Sequence, residues 1–385
     1  MVTHRVVLTG GGTGGHIYPA LAVAEQLREA EDVEEILYIG AAGHKEEKLA
    51  QERGLKFIGL DVSGMPRKLS PKMVSWPVQL FAAVMECRKY LRNFRPTVLL
   101  GTGGYASAPP LMAAKMLGIP YAIHEPDAHP GLVNRMLAAN ARLVSCGMEG
   151  AVDRLKSKRG KVVVNGNPVG KSFVNLLPKD SACAVLGLNP EMKTLLITGG
   201  SQGARAINEA VIDALPVLLE ADPPLQVIHQ VGEKNLVECK ERLSPTVQNS
   251  KRYFLRDYFD DLSIAYAVTD IALCRSGAMT IAELSVTGCP AIFVPYPFAA
   301  ADHQMHNARF IASKGAAVVI PQDELSGERL QREVLALLQN EDSLRAMHKA
   351  MLACGRPQAA SDLALQLKEV STEFQMRQSK AQTAS

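Results

Sequence analysis

The sequence predicts an α/β protein made of two doubly wound, parallel-sheet domains. Short apolar strands alternate with amphipathic helical segments along the 385 residues, a length that suits two hydrophobic cores better than one. Two glycine-rich turns, one in each half of the chain, each follow an apolar run and precede a helical segment. Near-continuous apolar strands separated by helices are typical of parallel sheets covered on both faces.

The elements follow in order along the chain. In the first half, apolar runs predict strands at residues 6–8, 35–39, 56–60, 97–100 and 121–123. In the second half they predict strands at 194–198, 226–229, 253–255, 270–274, 291–294 and 318–320. After the first strand, apolar residues such as Leu21 and Leu27 have the spacing of a helix, and Pro19 suits the first turn of that helix. The same spacing predicts helices at 207–219 and 281–286.

Turn-forming residues mark the domain boundary. The run Asn165-Gly166-Asn167-Pro168 predicts an N-terminal domain of residues 1–165 and a C-terminal domain of residues 166–354. A helix at about 355–375 is expected to pack back on the first domain. The polar tail at 376–385 is expected to be disordered.

Composition excludes several classes of protein. The net charge of +3, from 42 basic and 39 acidic residues, is too small to indicate nucleic-acid binding. Seven scattered cysteines without a CxxC pair indicate a reducing compartment and argue against a zinc site. We find neither a signal peptide nor an apolar run of about 18 residues, so no membrane-spanning segment is expected.

The two glycine turns predict anion or sugar binding. Backbone N–H groups at such a strand-to-helix turn point outward, and glycine lets a ligand approach closely. The first turn fits the dinucleotide fingerprint, but no acidic residue follows the strand at 35–39 to bind a ribose. Two similar domains facing one ligand cleft are therefore expected. The turns are Gly10-Gly11-Gly12-Thr13-Gly14-Gly15-His16 and Gly199-Gly200-Ser201-Gln202-Gly203-Ala204.

Seven sequence blocks, in order from residue 6 to about residue 350, resemble the MurG family of bacterial N-acetylglucosaminyltransferases. The resemblance implies the GT-B fold, two Rossmann-like domains with an interdomain active-site cleft. It implies inverting transfer of GlcNAc from UDP-GlcNAc to the C4 hydroxyl of MurNAc in lipid I, giving lipid II, with no cofactor or bound metal. Another GT-B glycosyltransferase, for a glycolipid or natural product, and a non-catalytic nucleotide-sugar binder stay open. The blocks lie at 11–22, 101–105, 124–125, 166–169, 199–204, 274–283 and 302–308.

The resemblance implies that the second domain binds the donor. The second glycine turn would hold the diphosphate, Glu283 the ribose hydroxyls, Phe259 the uracil and Gln304 the donor sugar, with His303 beside it. A structural turn, a solvated glutamate and a core aromatic are the alternatives. The implied donor residues are Ser201, Gln202, Gly203, Phe259, Ala278, Met279, Thr280, Ile281, Ala282, Glu283 and Gln304.

The first domain is expected to bind the acceptor and supply the general base. His16 has an imidazole, whose ordinary pKa suits proton abstraction near neutral pH, whereas Glu125 ends a predicted strand where such sheets bind ligands. The sequence does not choose between them. The resemblance adds contacts to the donor sugar and lipid diphosphate from Thr13, Gly14 and Gly15, and an acceptor pocket lined by Gly103, Gly104 and Tyr105.

Three positions depart from the common family pattern. Pro126 and Asp127 stand where a glutamine and an asparagine are usual, and Asp127 can accept a hydrogen bond from a sugar but cannot donate one. Gly170 stands where an arginine is frequent. The next residue, Lys171, is a candidate for the missing positive charge, without the bidentate geometry of arginine.

An apolar stretch with a basic flank predicts a membrane-facing surface. An apolar helix start followed by cations suits peripheral binding to the anionic cytoplasmic face of the bacterial plasma membrane. A core helix with a solvated basic end is the alternative, and Pro77 is expected to start the helix. Cell-wall synthesis proteins are further partners that the resemblance implies. The predicted membrane face comprises Trp76, Leu80, Phe81, Arg88, Lys89 and Arg92.

Overall fold

The computed structural model describes residues 2–64, 71–200, 202–299 and 302–383. The chain divides into two compact units, which are Met1–Gly170 with Pro357–Ser385, and Lys171–Arg356. The division at residue 170 lies close to the boundary predicted at residue 165. The expected cleft between the domains stays a prediction.

The first unit contains a seven-stranded parallel sheet within the described residues, in the order β3-β2-β1-β4-β5-β6-β7. Strand β1 pairs with β2 on one side and with β4 on the other, so the strand order reverses between β1 and β4. Ligands bind at the carboxyl ends of the strands at such a reversal. The strands are β1 His4–Thr9, β2 Val33–Ala41, β3 Lys56–Leu60, β4 Val98–Gly101, β5 Tyr121–Glu125, β6 Leu143–Cys146 and β7 Lys161–Val164.

Helices cover both faces of this sheet. Val6 and Leu8 belong to one apolar cluster, whereas Val7 and Leu99 belong to another. Alternate residues of a strand point to opposite faces, so the central strands of the sheet carry buried apolar residues on both sides. The helices of this unit are α1 Gly14–Arg28, α2 Lys45–Glu52, α3 Pro71–Phe94, α4 Ala108–Leu117, α5 Leu132–Leu137 and α16 Ala359–Thr383.

The second unit repeats this plan with a six-stranded parallel sheet of described residues, in the order β10-β9-β8-β11-β12-β13. Its strand order reverses between β8 and β11. The strands are β8 Lys193–Thr198, β9 Leu225–Gln230, β10 Tyr253–Arg256, β11 Ile271–Cys274, β12 Ala291–Phe293 and β13 Ala317–Val319. The helices are α6 Lys171–Val174, α7 Lys179–Leu186, α8 Arg205–Leu218, α9 Leu236–Arg242, α10 Pro245–Gln248, α11 Ser263–Tyr266, α12 Ala278–Thr287, α13 His303–Ser313, α14 Gly327–Leu338 and α15 Glu341–Cys354.

Two predicted helix limits were wrong. Helix α3 begins at Pro71, so Pro77 lies inside it; the buried residues Val84, Cys87 and Leu91 anchor this helix in the core and outweigh the local cost of Pro77. Helix α16 continues to Thr383, past the start of the expected disordered tail at residue 376. An i,i+4 ion pair between Arg377 and Glu373 supports the helix there.

Helix α16 returns to the first unit and is held there by a buried polar cluster. The Ser371 hydroxyl donates to Thr97 Oγ1 at 2.7 Å and lies 2.7 Å from His4 Nδ1. The Lys368 ammonium donates to both carboxylate oxygens of Asp32, each at 3.0 Å. These contacts fix the end of the chain against the first strand of the sheet.

Removing the Ser371 hydroxyl is expected to weaken this attachment. Ser371→Ala leaves the buried Nδ1 of His4 without its partner, which costs about 1–3 kcal/mol in the free energy of unfolding, whereas Thr97 keeps its hydrogen bonds to the Arg5 backbone. Urea denaturation followed by circular dichroism measures the loss. Ser379→Ala, on the exposed side of the same helix, is the matched control. Equal losses in the two variants would contradict a role for the buried cluster.

Candidate active site

The first glycine turn, at residues 10–15, links the end of β1 to α1 under tight steric limits. Gly12 has a φ of +87°, and the Gly10 carbonyl accepts a hydrogen bond from the buried Tyr38 hydroxyl at 2.7 Å. A Cβ atom at Gly11 would overlap the carboxylate of Glu46, which is 1% exposed. Glycine is therefore required at this turn by the packing beneath it as well as by φ.

A second turn, Gly103-Gly104, follows β4 and packs directly on the first. Their φ angles are +101° and +77°. A Cβ at Gly104 would overlap the Gly11 carbonyl oxygen, and the Gly11 N–H donates to the Gly103 carbonyl at 3.4 Å. The Thr102 hydroxyl contacts the carbonyl of His16 at 2.5 Å. The two turns thus form one backbone platform at the edge where the strand order reverses.

His16 lies in the first turn of α1, and its imidazole packs against this platform. A Cβ at Gly103 would lie 2.8 Å from His16 Cδ2. His16 Nδ1 is 3.3 Å from the Gly11 carbonyl oxygen and 3.2 Å from Thr13 Oγ1. Because a carbonyl only accepts, a proton on Nδ1 satisfies this contact and leaves Nε2 as an acceptor. Burial lowers the pKa of His16, and the negative charge of Asp127 opposes that shift. The imidazole is therefore neutral near pH 7, the form that a general base requires.

Glu125, the rival candidate, ends β5 and is 2% exposed. Its Oε1 accepts from the Asp127 N–H at 3.1 Å, and its Oε2 accepts from the Gly131 N–H and from Asn134 Nδ2, each at 2.9 Å. Burial raises the pKa of Glu125 to about 7, although these hydrogen bonds oppose the rise. The carboxyl therefore holds the loop that carries Asp127 while retaining a pKa suited to proton transfer.

The same loop is held from below by His124, a residue that the sequence analysis did not assign a role. His124 Nε2 lies 3.0 Å from Asn167 Oδ1, and Asn167 Nδ2 donates to the Pro126 carbonyl at 3.1 Å. Burial lowers the pKa of His124 to about 4, so this ring is neutral and structural. Asn167, in the predicted boundary segment, thus fixes the backbone of Pro126.

A cavity of about 880 Å³ opens beside His16 and Glu125, wholly within the first unit. The structure brings Gly103, Gly104 and Tyr105 to its wall, whereas Thr13, Gly14, Gly15 and Asp127 are not among its lining residues. The wall also contains Asn134, whose buried Oδ1 has no hydrogen-bond partner among the described residues. The sequence analysis missed Asn134, because a single asparagine among apolar residues carries no motif. The remaining lining residues are His16, Val62, Ser63, Trp76, Gln79, Leu80, Ala108, Pro109, Met112, Lys115, Met116, Glu125, Gly131, Leu132, Val133, Met136 and Leu137.

The residues of the predicted membrane face lie in two places, the wall of the cavity and the exposed surface. Trp76 and Leu80 line the cavity, and Trp76 Nε1 donates to the Ser63 carbonyl at 3.1 Å. Phe81 is 64% exposed, as suits a surface contact. Lys89 and Arg92 are exposed, whereas Arg88 is half-buried, with a guanidinium N–H 3.5 Å from Met85 Sδ. None of the described helices is long and apolar enough to cross a bilayer.

The glycine turn of the second unit has equally strict packing. Gly200 and Gly203 have φ angles of +82° and +72°, and a Cβ at Gly203 would overlap the Val231 carbonyl oxygen. Gln202 is exposed, and its carbonyl accepts from Asn235 Nδ2 at 3.1 Å. Ser201 lies outside the described residues. The turn leads into α8, which begins at Arg205.

Gln230, at the end of β9, joins this turn to Phe259, and the sequence analysis missed it. Its Nε2 donates to Thr198 Oγ1 at 3.1 Å and to the Gly200 carbonyl at 3.4 Å. Its Oε1 accepts from the Phe259 N–H at 3.1 Å. Phe259 is half-buried in the loop after β10, so its position relative to the glycine turn is fixed by a buried amide.

Helix α12 begins at Ala278, after a three-residue link from the end of β11 at Cys274. The side chains of Ala278, Met279 and Ile281 are buried, so any contact of these residues with a ligand must come from the backbone. Thr280, Ala282 and Glu283 are half-buried. Burial raises the pKa of Glu283 to about 8, and the neighbouring Tyr266 hydroxyl opposes the rise.

Gln304 and His303 form the first turn of α13. The Gln304 side-chain Oε1 accepts from the Tyr296 N–H at 2.9 Å, and its backbone carbonyl accepts from the Ser276 hydroxyl at 2.8 Å. The side-chain oxygen is therefore committed to the loop after β12, and the amide N–H₂ is the part suited to a ligand. His303 is half-buried, and Lys171 is half-buried at the start of α6.

The described residues include no group of three or more histidine, cysteine, aspartate or glutamate side chains arranged to hold a metal ion. The expectation of chemistry without a bound metal stays a prediction.

Known protein families and individual relatives match the chain in both of its units. Residues 6–145 match the glycosyltransferase family 28 N-terminal domain, and residues 194–364 match the glycosyltransferase family 28 C-terminal domain. A UDP-N-acetylglucosamine–N-acetylmuramyl-(pentapeptide) pyrophosphoryl-undecaprenol N-acetylglucosamine transferase from Halothermothrix orenii is 39% identical, with 93% of this chain and 97% of the relative covered. The transferase of the same name from Lactococcus lactis is 35% identical, with 95% and 99% covered.

The fold also matches solved structures. The crystal structure of Acinetobacter baumannii MurG matches with a TM-score of 0.72 and 27% identity, covering 95% of this chain and 99% of that one. A UDP-GlcNAc 2-epimerase from Neisseria meningitidis, bound to UDP-GlcNAc, matches with a TM-score of 0.68 at 14% identity, over 94% and 100% of the two chains, and so shares the fold. Near-full-length relatives and both domain models agree, and the chain belongs to the MurG family of GT-B glycosyltransferases.

Proposed function

We propose that this chain transfers GlcNAc from UDP-GlcNAc to the C4 hydroxyl of MurNAc in lipid I, with inversion, to give lipid II. The observation that carries the proposal is the neutral imidazole of His16, held on the glycine platform beside the cavity. Its Nε2 would take the proton from the attacking hydroxyl. The names of the relatives supply the donor and the acceptor.

In this proposal the second unit stabilises the leaving group. UDP gains negative charge as the glycosidic bond breaks, and backbone N–H groups at the glycine turn and at the start of α12 are suited to meet that charge. Gln202 and Gly203 lie in this turn, with Glu283 on the ribose, Phe259 near the uracil and Gln304 on the sugar. Thr13, Gly14 and Gly15 would approach the acceptor diphosphate.

The reaction itself is the first test. The purified chain, UDP-GlcNAc and a short-chain lipid I analogue are expected to give UDP and a disaccharide product, detected by mass spectrometry. A product with another acceptor alone would favour a different GT-B enzyme. Saturable UDP-GlcNAc binding without any turnover would favour the nucleotide-sugar binder.

His16 is expected to act as the base and Glu125 as the residue that positions the loop. His16→Ala should lower kcat by about 10²–10⁴-fold, since the proton acceptor is lost. Glu125→Gln replaces one carboxylate oxygen by an amide N–H₂, which faces the N–H donors of Gly131 and Asn134 or that of Asp127. Two donors cannot pair, so the loop should shift, and the variant should mainly raise the acceptor KM. Steady-state kinetics separates the two effects. A larger fall in kcat for Glu125→Gln than for His16→Ala would exchange their roles.

The pH profile of kcat/KM tests whether one of these two groups is the base. An imidazole base must be neutral, so activity is present above the pKa of His16 and is lost as pH falls through it. Asp127 raises the pKa of both His16 and Glu125, so Asp127→Asn should move the acid limb to lower pH with either residue as the base. An unmoved limb would mean that neither is the base.

Binding of UDP-GlcNAc is expected to strengthen as pH rises through about 8, the pKa of Glu283. The carboxylate accepts hydrogen bonds from two ribose hydroxyls, so the ligand favours the ionised form. Glu283→Gln should bind about 10–100-fold more weakly above that pH and without this pH dependence. Calorimetry between pH 6.5 and about 9 measures both effects. Binding that weakens as pH rises would argue against a ribose contact.

Peripheral attachment to an anionic membrane is part of the proposal. Phe81, Lys89 and Arg92 are exposed on α3 and combine apolar and cationic contacts. Phe81→Ser is expected to reduce sedimentation with anionic vesicles. A folded variant that sediments like the unaltered chain would show that this face does not dock.

A further inference from the structure

We propose that the cavity beside His16 binds the first isoprene units of the acceptor's polyprenyl chain, a proposal that rests on the proposed function. The cavity lies among α3, α4 and α5, and apolar side chains from all three helices line it. The polyprenyl chain would therefore leave the bilayer over part of its length during the reaction. This differs from docking of the protein on the membrane surface, in which the polyprenyl chain stays in the lipid.

The two kinds of wall in the cavity match the two kinds of group in a polyprenyl-linked sugar. His16, Glu125 and Asn134 form the polar part, where the Asn134 Oδ1 acceptor is buried without a described partner and suits a sugar hydroxyl or an acetamide N–H. Met116, Leu132 and Met136 belong to the apolar part. A ligand that fills both must carry a polar head and an apolar body.

The apolar wall suits a branched, irregular chain. Met112, Met116 and Met136 are unbranched and adapt to an irregular partner. Met116 and Met136, both on this wall, are 55% and 65% exposed, so their side chains are accessible to a ligand. A cavity of about 880 Å³ lies within the size range of ligand pockets, about 300–1,000 Å³, and has room for a polar head together with part of an isoprenoid chain.

A lysine on the cavity wall supplies positive charge. Lys115 is exposed and lines this cavity. A chain attached through a diphosphate is complementary to an apolar cavity that carries a cation, whereas a neutral isoprenoid would use only the apolar part.

The single tryptophan of the chain gives a direct readout, because Trp76 lines the cavity. The full chain is titrated with farnesyl and geranylgeranyl diphosphate in detergent-free buffer, below the concentration at which either forms micelles. We expect a saturable blue shift of Trp76 emission and an affinity that rises about tenfold or more with the added isoprene unit. Inorganic diphosphate at the same concentrations is expected to give no shift.

Two variants and a matched control test the location. Met112→Glu and Met136→Glu place a charge on the apolar wall and should weaken geranylgeranyl diphosphate binding about tenfold or more. Met112 packs against the core, so the exposed Met136 keeps the test valid if Met112→Glu does not fold. Met376→Glu makes the same change at a 56% exposed methionine on α16, outside the cavity, and should bind like the unaltered chain.

Three results would overturn the inference. These are equal affinity for the two chain lengths, unchanged binding in the folded Met136→Glu variant, and a shift that appears only when anionic vesicles are present. Turnover of a lipid I analogue is scored separately. Turnover without an effect of isoprenoid length would contradict the cavity assignment and leave the proposed reaction standing. Isoprenoid binding without turnover would contradict the proposed reaction and leave the isoprenoid site standing.

Discussion

The backbone contact between the two glycine turns of the first unit is the constraint on which the candidate site depends. Gly103-Gly104 meets Gly11 so closely that a side chain at Gly104 would overlap the Gly11 carbonyl oxygen. Because β1 and β4 are neighbours and parallel, their carboxyl ends lie at one edge, and the loops that follow them must share that space. The start of α1 and the wall of the cavity therefore take their positions from the same contact. The same contact orients His16.

Two carboxyls show how hydrogen bonding decides what a partly or fully buried acid does. Glu125 is buried and Glu283 is half-buried, and loss of water raises the pKa of each. Glu125 accepts from three protein donors, which keeps its pKa at about 7 and uses its oxygens to hold a loop. Glu283 has the higher pKa, about 8, with one neighbouring hydroxyl to oppose the rise. A ligand that brings hydroxyl donors to Glu283 would supply what the protein supplies to Glu125.

The sequence predicted the strands that precede both glycine turns, since long apolar runs before glycine are unambiguous. It did not predict β6 or β7. The run Leu143–Cys146 is short and contains a serine, and Lys161–Val164 begins with a lysine and lies at the edge of the sheet, so neither stands out by composition. Pairing with β5 makes β6 a strand, and β7 forms against β6; both depend on contacts between distant parts of the chain.

The same distinction separates the site residues that were found from those that were missed. His16 and Glu125 belong to local motifs, so a single segment indicated them. Glu46, Asn134 and Gln230 act through groups distant in the chain, and their types alone are common on surfaces. The sequence analysis gave Glu46 no role for this reason. Glu46 lies in the first turn of α2 and reaches back beneath Gly11, a position that only the folded backbone reveals.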